Sequence, residues 1–193
     1  MINIVLFGAP GAGKGTQATR LAQKYNLNHI STGDIIRAEI RGETPLGLKV
    51  KEAISRGELA PDQVVIEIIE NYVRTHRDVD GNIFDGFPRT TPQAEAFDEI
   101  LAGNGLRIDM MLELVVPEEE LVKRILLRGA ESGRADDADE NVIRNRIDVY
   151  NAQTAPVAEY YRTQGKYTAI PGSGPVDDIF AGLCVEIDKI DKI

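Results

Sequence analysis

The chain begins with a nearly unbroken apolar segment, Ile2-Asn3-Ile4-Val5-Leu6-Phe7, that stops at Gly8. After Lys14 the period changes: Ala18, Leu21, Ala22 and Tyr25 recur at the three-to-four-residue spacing of a helix face. The unit reads as strand, glycine turn, helix. Short apolar runs recur at 82–84, 110–116 and 167–170, and amphipathic stretches of helical period lie around 61–75, 92–102, 117–128, 139–150 and 175–190. Strands alternating with helices predict an α/β fold with a parallel sheet covered by helices. The punctuation agrees. Pro61, Pro92 and Pro117 stand near helix starts, and Glu118, Glu119 and Glu120 fill a first turn, where negative charge is favoured. Gly103 and Gly129 stand where helices are expected to end.

A length of 193 residues suits a single domain with a sizeable core. Acidic residues outnumber basic ones by 31 to 22, a net charge of −9, so bulk electrostatics favours neither nucleic acid nor an anionic membrane as a partner. An anionic ligand must then be held by a local cluster of Arg and Lys beside a glycine-rich turn. The one cysteine, Cys184, cannot close an internal disulfide, and with two scattered histidines, His29 and His76, it makes no zinc pattern. Cys184 reads as a small apolar residue buried in a terminal helix. No apolar run has membrane-spanning length, and Met1 is followed by the first strand without a basic leader. The expectation is a cytoplasmic protein.

The turn Gly8-Ala9-Pro10-Gly11-Ala12-Gly13-Lys14-Gly15-Thr16 has the glycine spacing and the lysine of a P-loop. Backbone that wraps a phosphate with inward N–H groups needs conformations and close approaches that a Cβ would block. The helix that follows offers unpaired N–H groups to an anion, and Lys14 adds a mobile charge for β and γ phosphates. Gly15 stands where Ser or Thr usually follows the lysine, and the hydroxyl arrives one residue later at Thr16. Two more segments bear on phosphate: STGDIIR at 31–37 sets Arg37 a turn beyond a helix start, and DGFPRTTPQ at 85–93 places Asp85 at a strand end with Arg89 beyond a tight turn. Arg124 and Arg128 share a helix face at i, i+4, Arg134 follows closely, and Arg146 lies on the next helix, which Asp136, Asp137 or Asp139 is placed to cap.

With GAPGAGKGT at 8–16, the two later segments and the arginines of 124–146 in this order, the chain resembles the adenylate kinases over nearly its whole length. The resemblance implies a three-layer P-loop sandwich: a five-stranded parallel sheet with helices on both faces. It also implies two small mobile inserts in this single domain, one for AMP at about 31–60 and a short lid at about 129–138, with Gly129 and Gly133 as hinges. The reaction implied is reversible transfer of the γ-phosphoryl of MgATP to AMP, giving two ADP, by a monomer.

By the same resemblance Gly11, Ala12, Gly13, Lys14, Gly15, Thr16, Arg128 and Gly174 bind ATP. AMP falls to Thr32, Gly33, Arg37, the main chain of Glu58, Leu59 and Ala60, the turn Gly86, Phe87, Pro88, Arg89, and Gln93, Arg134 and Arg146. Lys14, Arg37, Arg89, Arg124, Arg128, Arg134 and Arg146 carry the chemistry, and Asp85 orients water around Mg²⁺. These roles make local sense, since guanidinium forks match phosphate oxygens and the Gln93 amide both donates and accepts along a base edge. A phosphate acceptor needs no general base, in keeping with the lack of an obvious catalytic His or Asp. The five residues 129–133 leave room only for a short lid, so no structural zinc is expected. A UMP/CMP kinase is the nearest alternative, but Thr32, Thr90 and Gln93 favour AMP. A non-catalytic nucleotide-binding module would be expected to have lost one of Lys14, Arg37, Arg89 or Arg128.

Overall fold

In a computed structural model, which describes residues 1–75, 80–132 and 134–190, five strands form one parallel sheet in the order β2-β3-β1-β4-β5. They are β1 (Ile2–Phe7), β2 (Leu27–Ser31), β3 (Gly81–Asp85), β4 (Met110–Val115) and β5 (Tyr167–Pro171). Between them run α1 (Lys14–Tyr25), α2 (Thr32–Arg41), α3 (Pro45–Ser55), α4 (Asp62–Thr75), α5 (Thr91–Gly103), α6 (Glu118–Ser132), α7 (Glu140–Val149) and α8 (Val157–Thr163), and α9 (Val176–Ile187) closes the fold. A 3₁₀ turn, Ala135–Asp137, precedes α7, and a π turn, Tyr150–Thr154, links α7 to α8.

The alternation of each strand divides the core in two. Val5 and Phe7 of β1, Phe84 of β3 and Met111 of β4 face one side, packed with Ile69, Phe97 and Tyr161 from α4, α5 and α8. Ile4, Leu6, Ile83, Leu112 and Leu114 face the other, packed with Leu21, Ile125, Ile143 and Leu183 from α1, α6, α7 and α9. Helices therefore cover both faces, as the α/β pattern requires. Each such side chain, fully buried, contributes about 1.5–3 kcal/mol, and β1, buried on both faces, anchors the rest.

Four strands follow the apolar runs. The fifth, β2, has the sequence LNHIS, with apolar residues at only Leu27 and Ile30, because it is an edge strand paired to β3 alone. One expectation is corrected. Helix α6 runs through Gly129 to Ser132 instead of ending before it. Gly129 has no side chain because the Asp137 backbone lies against the helix there, where a Cβ would collide with the Asp137 carbonyl. Of the three candidate caps for α7, Asp139 does the work, accepting from Asn141 N at 2.8 Å, while Asp136 and Asp137 turn inward to arginines. Gly133, the other expected hinge, and His76 lie outside the described residues.

Candidate active site

β1 lies between β3 and β4; the chain leaves β1 toward β2 on one side and, after β3, crosses to β4 on the other, so a crevice opens beyond the carboxyl end of β1. The glycine turn occupies this crevice. Gly11 and Gly13 have φ of +84° and +94°, conformations costly for a residue with a Cβ, and Gly13 caps α1 in the left-handed region. The loop curls over the Lys14 ammonium, which donates to Gly8 O at 2.7 Å and Ala9 O at 3.0 Å. Desolvation lowers the Lys14 pKa to about 8; Asp85 opposes the shift, and Arg89, Arg128 and Arg146 add to it.

The loop opens on a cavity of about 860 Å³. Lys14 and all six arginines expected at the site line it: Arg37, Arg89, Arg124, Arg128, Arg134 and Arg146. Among the described residues only four carboxylates, those of Asp34, Glu58, Asp85 and Asp136, share the wall. A chain of net charge −9 thus holds a local excess of cations. The other described arginines lie outside it: Arg20, Arg56, Arg107, Arg144 and Arg162 pair with nearby acids, and neither they nor Arg41 and Arg74 line the cavity. Arg77 lies outside the described residues.

Each cavity arginine is held by a partner that leaves N–H groups free, since a guanidinium has five. Arg89 Nε donates to Gly86 O at 2.7 Å. Its pKa falls to about 10, first through burial and then through Arg146, with Asp85 opposing and Arg37 adding. Arg37 pairs with Asp34 at 2.6 Å, and Arg134 reaches the same oxygen at 3.4 Å. Burial alone would raise the Asp34 carboxyl, but the Arg37 bond and charge hold it below the usual carboxylate range. Burial, then Arg37 and Arg128, lower Arg134.

Asp137, fully buried at its side chain, grips Arg128 at both oxygens, Oδ2 from Nε at 2.7 Å and Oδ1 from Nη2 at 2.9 Å. Arg146 Nη1 donates to the same carboxylate at 2.5 Å and to Asp136 O at 3.1 Å. Arg124 spans three elements, donating to Glu120 on its own helix, to Gly172 O at 3.0 Å and to Ala12 O at 3.5 Å.

At the far end from the loop, Thr32 starts α2 and donates to Gly86 O at 2.8 Å. Gly57, Glu58, Leu59 and Ala60 form the wall between α3 and α4. Gly33 lies under Arg37, while Gly86, Pro88 and Gln93 come from the β3–α5 turn. Phe87 is also there, but its ring packs on Phe97 in the core, 5.0 Å between centroids, so it meets the cavity through its edge and main chain. Gly174, with φ +107°, lies beside the loop end.

Asp85, at the carboxyl end of β3, is 8% exposed and 3.5 Å from His29 Nε2 on β2. It faces the start of α1, where a Cβ on Gly15 would stand 3.7 Å from Oδ2. Every expected site residue thus belongs to one cavity. The sequence pattern does not mark Asp62, which holds Gln93; it offers Asp137 only as a cap and His29 only as a scattered residue. Cys184 is buried in α9. Among the described residues no group of three or more His, Cys, Asp or Glu is placed to hold a metal, and no helix is long and apolar enough to cross a membrane.

A glycine cradle at the switch point of a parallel sheet, opening on a cavity walled with arginine, places the chain among the P-loop nucleotide-binding phosphotransferases. Comparison with known proteins narrows the class. The sequence profile of adenylate kinase matches residues 6–166. The adenylate kinase of Bacteroides fragilis is 51% identical over 190 residues, covering 98% of this chain and 100% of that one. That of Bacteroides thetaiotaomicron is 50% identical with the same coverage, and that of Porphyromonas gingivalis is 44% identical over 193 residues, 100% of this chain and 99% of its own. The chain belongs to the adenylate kinase family, whose members use Mg²⁺ with ATP.

Proposed function

We infer that this chain is an ATP:AMP phosphotransferase, which moves the γ-phosphoryl of MgATP reversibly onto AMP to give two ADP. The observation that carries the chemistry is the convergence of Lys14, Arg37, Arg89, Arg128, Arg134 and Arg146 on one cavity. Phosphoryl transfer spreads charge over peripheral oxygens and asks the protein mainly for in-line positioning and positive charge. The AMP phosphate is itself the nucleophile, so no side chain has to remove a proton.

In this reading ATP lies along Gly11, Ala12, Gly13, Lys14, Gly15 and Thr16, with Gly174 beside its base and Arg124 and Arg128 over its phosphates. AMP lies at the other end, its phosphate gripped by Arg37 and Arg89 and its base between Thr32, Gln93 and the main chain of Glu58, Leu59 and Ala60. Arg134 and Arg146 stand over the phosphoryl in transit. Their tethers support this, because Asp137 fixes Arg128 and Arg146 while leaving each with free N–H groups.

Mg²⁺ arrives with ATP as part of the substrate and neutralises charge on its phosphates. The residues fit it: with no side chain on Gly15, the Asp85 carboxylate faces the cavity beside the loop, where it would hold water around the ion. The segments 31–60 and 129–138 act as the AMP-binding insert and the lid. We read the enzyme as a cytoplasmic monomer, in keeping with the adenylate kinase family.

A coupled assay for ADP formed from MgATP, with AMP, CMP, UMP and GMP in turn, tests the activity. AMP is expected as the preferred acceptor. No turnover with any of them would remove the kinase reading, and a preference for CMP or UMP would remove the assignment of the base.

A further inference from the structure

We propose that Asp62 is a specificity-determining residue, whose carboxylate locks the Gln93 amide in the orientation that reads a 6-aminopurine and rejects a 6-oxopurine. A glutamine amide has nearly the same shape when flipped by half a turn, but its donor and acceptor change places. Selectivity therefore requires that something hold it.

In the structure two partners do so. Arg89 N donates to Gln93 Oε1 at 2.8 Å, and Gln93 Nε2 donates to Asp62 Oδ1 at 2.7 Å. Thr90 Oγ1 donates to the same Asp62 oxygen at 3.2 Å, which steadies the carboxylate. A backbone N–H only donates and a carboxylate only accepts, so both select one orientation. The flipped amide would set N–H against N–H and oxygen against oxygen. Gln93 is 1% exposed, so water offers no relief from that mismatch.

The locked amide lines the cavity and keeps one acceptor site on Oε1 and one N–H on Nε2. That pair complements an exocyclic amine beside an unprotonated ring nitrogen. A 6-oxo base, with a carbonyl beside a ring N–H, presents the inverse and would need the flipped amide. Asp62 is the first residue of α4, whereas Gln93 belongs to the first turn of α5, so the lock joins two helix starts 31 residues apart.

The inference rests on the reading of Gln93 as a base contact, and the test separates the two. Transfer from MgATP to AMP and to IMP, which differ at C6, is measured for the wild type and for Asp62→Asn, Asp62→Ala and Gln93→Ala. The Asp62 variants are expected to lower the AMP-to-IMP ratio of kcat/KM about tenfold, the effect of one charge-assisted hydrogen bond, with the KM for ATP unchanged. Gln93→Ala is expected to lower the ratio as well. If both Asp62 variants keep the wild-type ratio while Gln93→Ala loses it, Asp62 does not set the orientation and the proposal falls. If Gln93→Ala also keeps it, Gln93 does not read the base, and both readings fall. Should Asp62→Ala fail to fold, Asp62→Leu, close in volume and unable to accept a hydrogen bond, decides.

Discussion

Replacing Asp137 by Asn removes the anchor that holds Arg128 and Arg146 over the cavity. The carboxylate accepts three hydrogen bonds from these two arginines, between 2.5 and 2.9 Å, and its side chain is wholly buried. Each bond to a charged group is worth about 1.5–3 kcal/mol, and breaking one side of a buried pair costs about 3–5 kcal/mol. The full sum is not expected. The Arg128 side chain is 36% exposed and regains water once released, while Arg146, at 16%, regains less. The loss is therefore set at about 3 kcal/mol, roughly 6–12 °C in melting temperature for a chain of this size.

Thermal unfolding followed by circular dichroism measures it, and repetition from neutral to acid pH isolates the charge. Burial would raise the Asp137 carboxyl, but the bond and charge of Arg128, and then Arg146, outweigh it and hold the pKa below the usual carboxylate range. A lowered folded pKa gives stability that is fully present above the unfolded value of about 3.9 and is lost as pH falls through the folded one. The gap between wild type and Asp137→Asn should accordingly hold from neutral pH to about 5 and close in stronger acid. A gap below about 2 °C at neutral pH, or one that widens in acid, would refute the reasoning.

Three other perturbations follow from the same geometry. Arg89→Met should cut transfer by about a hundredfold or more while leaving the melting temperature equal or higher, because it relieves a desolvated cation crowded by Arg146 and Arg37; near-normal activity would take Arg89 out of the site. MgATP binding near pH 8 should draw a proton onto Lys14, whose pKa is about 8 in the free protein and rises beside phosphate. Titration calorimetry in buffers of different ionisation enthalpy reads this uptake, which Lys14→Met should abolish. In the free protein the lowered Lys14 pKa means that stability gained from this residue grows as pH rises above about 8, since the unfolded chain then binds more protons. Gly129→Ala should cost about 1–3 kcal/mol by driving the new methyl into the Asp137 carbonyl and should lower activity by displacing the arginines tied to Asp137; a variant with unchanged stability and activity would show that this contact is easily yielded.

The parts of the fold legible in the sequence were those where one physical demand dominates. Buried central strands must be apolar, so β1, β3 and β4 stood out, and phosphate-binding backbone must lack Cβ atoms, so the 8–16 turn did too. Strand β2 was visible only through the family resemblance, since an edge strand beside the cavity tolerates Asn28 and His29. Helix α3 begins at Pro45 with Thr44 capping Gly47 N, a local signal that was present but lay inside a segment read as an insert. Gly129 looked like a helix end because sequence does not separate a glycine that frees the backbone from one that admits a neighbour. The arginines were legible through their order. Their counterions were not: Asp62 and Asp137 act across 31 and 9 residues on partners that only the folded chain brings near.

The distribution of charge has a consequence for encounters with other polyanions. The protein is acidic overall and keeps its cationic surplus inside one cavity. At physiological ionic strength the repulsion of its exterior fades within about 8 Å, while contacts inside the cavity are much less screened. Nucleotides meet little resistance until they enter, and long polyanions such as RNA, too bulky to follow, meet an exterior of net negative charge. The enzyme is therefore expected to discriminate against long polyanions while admitting the small phosphates they are made from.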